Sequence, residues 1–241
     1  MKQKELEILL TRITKWYERI QTYIVPETVP LDAEFAWSKD PTPFSERLSL
    51  DYKSIKAGEP WGQKWESAWF HLTGQVPQEW TGKTIIAELD FSGEGLVFNA
   101  AGHIMQGITN GSIWDPNFAR TRVHLMETCR GGEVVDLWVE AAANSLFGVY
   151  TDADPVQDSP KRHGWFDAKV EKMQIGIFDQ EMWHLYLDVR ALLGLAKRLD
   201  EKSVRRFRII RALNNAVDAF NDDQKNTQSA RQMLAKELSK S

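Results

Sequence analysis

The most constraining feature of the chain is a central stretch, from about Leu48 to Ile177, in which short β-branched and aromatic runs alternate with glycine turns. Ser67 to Leu72 is aromatic-rich and stops at Gly74; Thr84 to Phe91 is entered through Gly82 and left through Ser92 and Gly93. Leu96-Val97-Phe98 and His103 to Ile108 flank Ala100-Ala101-Gly102, a hairpin-like turn. Thr121 to Met126 and Glu133 to Ala141 lie on either side of Arg130-Gly131-Gly132, and Asp167 to Ile177 alternates apolar positions at Ala168, Val170, Met173, Ile175 and Ile177. No helical run separates these segments, which argues for an antiparallel sandwich and against a doubly wound nucleotide-binding fold. Gly93-Glu94-Gly95 is no phosphate cradle, because it lacks a third glycine and a following helix.

Both flanks read as helical. Leu6, Leu9, Leu10, Ile13, Trp16, Tyr17, Ile20 and Ile24 recur at three- and four-residue spacing, which predicts an amphipathic helix over residues 1–25 whose apolar face needs a cover. Pro26 and Pro30 end it, and residues 26–47 read as an extended connector. The sandwich is expected over 48–178 and a helical segment over 179–241. One stripe of that segment runs from Met182 to Leu199, a second from Phe207 to Phe220 and a third from Ala230 to Leu238, with Asp179 and Ser203 as N-caps and Asn221-Asp222-Asp223 as a break.

Composition narrows the function classes. Lys+Arg 30 against Asp+Glu 34 leaves a net charge of −4, and the one basic cluster, Arg205, Arg206, Arg208 and Arg211, reads as a solvated helix face, so no nucleic-acid partner is expected. The single Cys129 excludes an internal disulfide and fits a reducing cytoplasm. No apolar run approaches the roughly 20 residues of a membrane span, and the charged Met1 to Glu7 is no signal peptide, so no membrane partner is expected.

Residues with catalytic chemistry are scattered. None of His71, His103, His124, His163 and His184 stands four residues from another, and none forms an HExxH. No serine sits in a G-x-S-x-G elbow, and Cys129 reads as a small apolar strand-end residue. Asp152, Asp154 and Asp158 share one acidic loop, which is a solvated turn rather than two carboxyls facing across a sugar ring. No catalytic and no metal-binding residue is therefore assigned.

The ten Trp are more informative. Trp61, Trp65, Trp69 and Trp80 fall within twenty residues. Two readings fit them: sealing the sandwich edge against the flanking helices, or stacking on a sugar from a loop position such as Trp61, between Pro60 and Gly62.

Pro60-Trp61-Gly62-Gln63-Lys64-Trp65-Glu66-Ser67-Ala68-Trp69-Phe70 resembles the PWGxxWxxxWF entry of cytosolic-type α-mannosidases of glycoside hydrolase family 38. Val76-Pro77-Gln78-Glu79-Trp80-Thr81-Gly82-Lys83, Gly93 to Phe98 and Gln106-Gly107 follow in the family's order. Glu140 to Gly148 is similar to its E-x-A-x-N-x-[LM]-F-G segment, and Leu185-Tyr186-Leu187-Asp188 to its Leu-Tyr-x-Asp helix. The chain departs from the family at Asn99 to Gly102, where Asp-Gly is common, and at Ala143-Asn144-Ser145, where Cys-Asn-Gly is common.

The resemblance implies a mainly β fold with flanking helices (α+β): an antiparallel jelly-roll-like or galactose-binding-like β-sandwich, one N-terminal helix and a C-terminal helical segment. It also implies that this chain is the non-catalytic N-terminal domain of a zinc-dependent, retaining α-mannosidase. The family's His-x-His-Ile-Asp-x-Ala-Trp segment, which binds zinc, has no counterpart here, so the implied zinc belongs to a catalytic domain outside these residues and this chain holds no cofactor. The expected partners are that catalytic domain and further copies in a homo-oligomer, with the N-terminal amphipathic helix suited to such an interface. The alternative is a free-standing carbohydrate-binding or interaction module for a mannose-containing oligosaccharide. Trp61, Trp65 and Trp114, with Asn144 and Phe147 from the matching motif, are the candidate sugar or interface contacts.

Overall fold

The computed structural model describes residues 3–63, 65–109, 119–144 and 169–239. The chain divides into two compact units, one formed by Met1–Pro26 with Phe178–Ser241 and the other by Glu27–Ile177.

In the first unit, helix α1 spans Gln3–Thr22. Its buried face, Ile13, Trp16 and Ile20 followed by Ile24, belongs to one apolar core with Met182, Leu185, Val189, Ile210, Leu213 and Leu234 from the C-terminal part of the chain. Trp16 meets Phe220 edge-on at 5.7 Å, and Tyr17 stacks on Tyr186 at 4.8 Å with their hydroxyls 2.7 Å apart. The apolar stripe that sequence assigned to an outside interface is thus covered from within this unit: burying it is favourable, and the chain supplies its own cover.

The second unit holds ten strands among the described residues: β1 (Thr28–Pro30), β2 (Asp32–Ser38), β3 (Lys53–Ser54), β4 (Ser67–Gln75), β5 (Ile85–Asp90), β6 (Glu94–Asn99), β7 (Ile104–Thr109), β8 (Arg122–Met126), β9 (Val134–Ala142) and β10 (Lys172–Ile177). They form a four-stranded sheet in the order β1-β10-β5-β8 and a six-stranded sheet in the order β3-β2-β4-β9-β6-β7. Every pairing is antiparallel. Alternation puts Ala68, Phe70 and Leu72 of β4 and Leu137, Val139 and Ala141 of β9 into a core shared with Ile85, Ala87 and Leu89 of β5 and Met173 and Ile175 of β10. That is the sandwich the sequence predicts.

Residues 28–38 depart from the expected connector by forming β1 and β2. Pro26 precedes this run, Pro30 interrupts it, and its inward residues include the small Ala33, so the strand signal in sequence is weak. Pairing decides it: β2 adds to β4 over seven residues, from Asp32 opposite Thr73 to Ser38 opposite Ser67. β4 also runs past Leu72 to Gln75, because Gly74 pairs with Val135 within the sheet.

The C-terminal stripes become α2 (Gln180–Arg198), α3 (Val204–Ala219) and α4 (Thr227–Leu238). Asp179 caps α2, its carboxylate accepting from Met182 N–H at 2.9 Å, whereas Ser203 makes no such bond at the start of α3.

Candidate functional site at one end of the six-stranded sheet

One register row crosses five strands: Ser38 opposite Ser67, Ser67 opposite Ala142, Ala142 opposite Glu94, and Glu94 opposite Thr109. β2, β9 and β7 end at or next to this row and β4 and β6 begin there, so the row marks one rim of the sheet. Gly93 is required at this rim, since a Cβ there would stand 2.3 Å from the Ala142 carbonyl oxygen.

Two exposed indoles stand there. Trp37, near the end of β2, is 51% exposed, and Trp65, just before β4, is 55% exposed. Glu66 organises the space beside them: its Oε2 accepts from Trp37 Nε1 at 2.6 Å and from Gln63 N–H at 2.7 Å. Trp65 N–H donates to Ala143 O at 2.7 Å, and Ala143 N–H donates to Glu66 O at 2.8 Å. These two bonds hold Trp65 at φ 71°, a left-handed conformation that a bulky side chain seldom adopts. The neighbouring Asn144 accepts from Glu94 N–H at 3.1 Å and donates through Nδ2 to the Glu94 carboxylate.

Of the residues singled out in the sequence, Trp65 and Asn144 therefore lie at this rim. Trp61 does not stand open to a ligand. It is 3% exposed, its Nε1 donates to Phe91 O at 2.9 Å, and its ring meets Phe70 edge-on. Burial is the reason: the loop turns this indole inward to fill the sandwich core. Trp114 and Phe147 lie outside the described residues, as does the Asp152 to Asp158 loop. Among the clustered indoles, Trp69 and Trp80 are buried with Trp61, and Trp65 alone faces solvent. Sequence reasoning missed Trp37, Glu66 and Glu94. Trp37 sat in the expected connector, and only the register brings Glu94 to Ala142.

Part of the outer face of the six-stranded sheet is covered by the segment before β3. Trp69, Phe98 and Trp138 pack beneath Phe44, Leu50 and Tyr52, and the Arg47 guanidinium lies 3.6 Å from the Phe44 ring centre and 4.3 Å from that of Trp138. Burial pushes the Tyr52 phenol up to about 12 and raises the carboxyl of Glu140, opposite Trp69 and Leu96. A cleft of about 760 Å³ borders β2 and β4, lined by Asp32, Glu34, Lys56, His71, Thr73 and Met173. His71 is engaged there, stacking on Trp138 at 4.0 Å and bonding Asp136 at 3.1 Å.

The described residues do not fit a zinc ion. His71 meets Asp136, His124 meets Glu127 and His184 meets Glu181 only as pairs. No group of three or more His, Cys, Asp or Glu able to hold a metal occurs among the described residues. Cys129 is buried, with its Sγ 2.7 Å from Trp80 O. No described helix is long and apolar enough to cross a membrane.

Alpha-mannosidase G of Dictyostelium discoideum is 30% identical over 193 residues, 80% of this chain and 17% of that protein. Alpha-mannosidase 2C1 of Homo sapiens is 25% identical over 197 residues, 80% of this chain and 18% of that protein. This chain thus spans less than a fifth of the length of either relative. Among solved structures, a β-glucuronidase from Ruminococcus gnavus aligns with a TM-score of 0.37 and 13% identity, covering 49% of this chain and 21% of that one, a likeness too slight to carry an argument. Residues 29–176, essentially the whole sandwich unit, match the family described as alpha-mannosidase, jelly roll domain, and the chain belongs to that family.

Proposed function

We infer that this chain is a non-catalytic jelly roll domain of a longer, zinc-dependent retaining α-mannosidase of glycoside hydrolase family 38, acting in the cytoplasm in glycan breakdown. The observation that carries this reading is the coverage: two α-mannosidases match over 80% of this chain while it spans 17–18% of them. In such an enzyme, zinc would supply polarisation of the substrate, and two carboxylates would serve as nucleophile and acid/base. None of those groups is assigned to a residue here, so no catalytic step is routed through this chain.

Its role in this reading is to pack against the catalytic region and support a homo-oligomer. The amphipathic face of α1 is spent inside the helical unit, which leaves the sandwich surfaces and connecting loops for that packing. The test compares the purified 241-residue chain with the native product isolated from its source cell, using a chromogenic α-mannoside. The reading predicts turnover by the native product, abolished by a chelator, and none by the 241-residue chain. Chelator-sensitive turnover by the short chain, or none by the native product, overturns it.

A further inference from the structure

The geometry points to a saccharide-contact site at the rim formed by Trp37, Trp65 and Glu66, selective for neutral pyranosides. This goes beyond the proposed function and does not depend on it.

Strain is the first support. A bulky L-residue is disfavoured in the left-handed region, where its Cβ crowds the following carbonyl oxygen. At Trp65 the ring recovers little of that cost by burial, since it is 55% exposed. The bonds from Trp65 N–H to Ala143 O and from Ala143 N–H to Glu66 O hold the conformation in place. Backbone strain that presents an exposed side chain is a mark of a contact site.

The second support is the polar group set beside the indoles. Glu66 Oε2 is engaged by Trp37 Nε1 and Gln63 N–H, which fixes the carboxylate, while its Oε1 has no hydrogen-bond partner among the described residues. A fixed carboxylate oxygen accepts sugar hydroxyl hydrogens, and a flat indole takes the C–H face of a pyranose ring. Asn144 and Glu94 add further polar atoms at the same register row. Glu66 and Glu94 each bring a negative charge to this rim, so a uronic acid or sugar phosphate meets like-charge repulsion from them and a neutral hexose does not.

The test uses the full 241-residue chain and follows its indole Nε1–H resonances, assigned through Trp37→Phe and Trp65→Phe, during titration with α-linked mannobiose and separately with glucuronic acid. The expected result is a saturable shift of the Trp37 and Trp65 signals with the neutral disaccharide and none with the acid, while the buried Trp61 signal stays fixed. Trp65→Gly relieves the positive φ. It should weaken binding by about tenfold, the loss of one aromatic contact, while its Tm stays equal to or above the parent. Unmoved Trp37 and Trp65 signals, equal response to the anionic sugar, or undiminished binding by Trp65→Gly would overturn the proposal. So would a lowered Tm in that variant, which would make Trp65 a packing residue.

Discussion

Trp61 donates its indole N–H to the Phe91 carbonyl at 2.9 Å while its ring meets Phe70 edge-on at 5.5 Å, so one side chain ties the end of β5 in one sheet to β4 in the other. Truncation removes both links. Trp61→Ala should cost about 3–5 kcal/mol by leaving a cavity. Trp61→Phe should cost about 1–3 kcal/mol, chiefly by leaving the Phe91 carbonyl unpaired in the core. Urea midpoints at constant slope measure both; values near zero would remove Trp61 from the core account.

Gly93 has no room for a side chain, since its Cβ would meet the Ala142 carbonyl oxygen at 2.3 Å and backbone cannot swing away. Gly93→Ala should destabilise the fold by about 1–3 kcal/mol. It should also disturb the neighbouring Glu94–Asn144 pair, read as a changed Asn144 side-chain amide resonance. Gly194, at the same measurement, is a contrasting site with open space around its Cβ position and no positive φ.

Tyr52 donates to Arg47 O at 3.1 Å, and burial holds its phenol protonated to about pH 12 instead of the ordinary 10. Because the folded-state value is raised, the contribution is fully present below pH 10 and is lost as pH climbs toward about 12. Denaturation followed along an alkaline series should show that decline, and Tyr52→Phe should flatten it. An identical decline in the variant would place the titration elsewhere.

Glu140 faces Trp69 and Leu96 across the sheet, and burial raises its carboxyl above the ordinary range. A raised acid favours the fold when protonated, so its contribution is present at low pH and lost as pH rises through the folded value. At neutral pH, Glu140→Gln should therefore match or exceed the parent in stability, by less than about 1 kcal/mol after solvent screening. The advantage should vanish once pH falls below the ordinary carboxylate range. A variant less stable than the parent at neutral pH would reveal a favourable partner for the charge.

How much of this could be read from the sequence differs by element. β4 is plain because Ala68, Phe70 and Leu72 alternate with Trp69 and His71 on opposite faces. β2 is hidden, since its pattern lies between prolines and closes with an exposed Trp37, and pairing with β4 supplies what its local pattern lacks. The face of α1 is evident from spacing, but its partners lie some 160 residues downstream, beyond the reach of periodicity. Trp61 and Trp65 sit in one loop four residues apart with similar neighbours, and only the folded backbone turns one inward and leaves the other in solvent. The rim with Glu66 and Glu94 is likewise a product of register, which joins positions distant in sequence.

The central claim is that this sandwich serves a larger α-mannosidase, and the mass of the native product tests it most directly. An antibody raised against the chain, applied to extracts of the source cell, should detect a band several times heavier than 27.7 kDa. A band at 27.7 kDa alone would contradict the claim and mark the chain as a free-standing module.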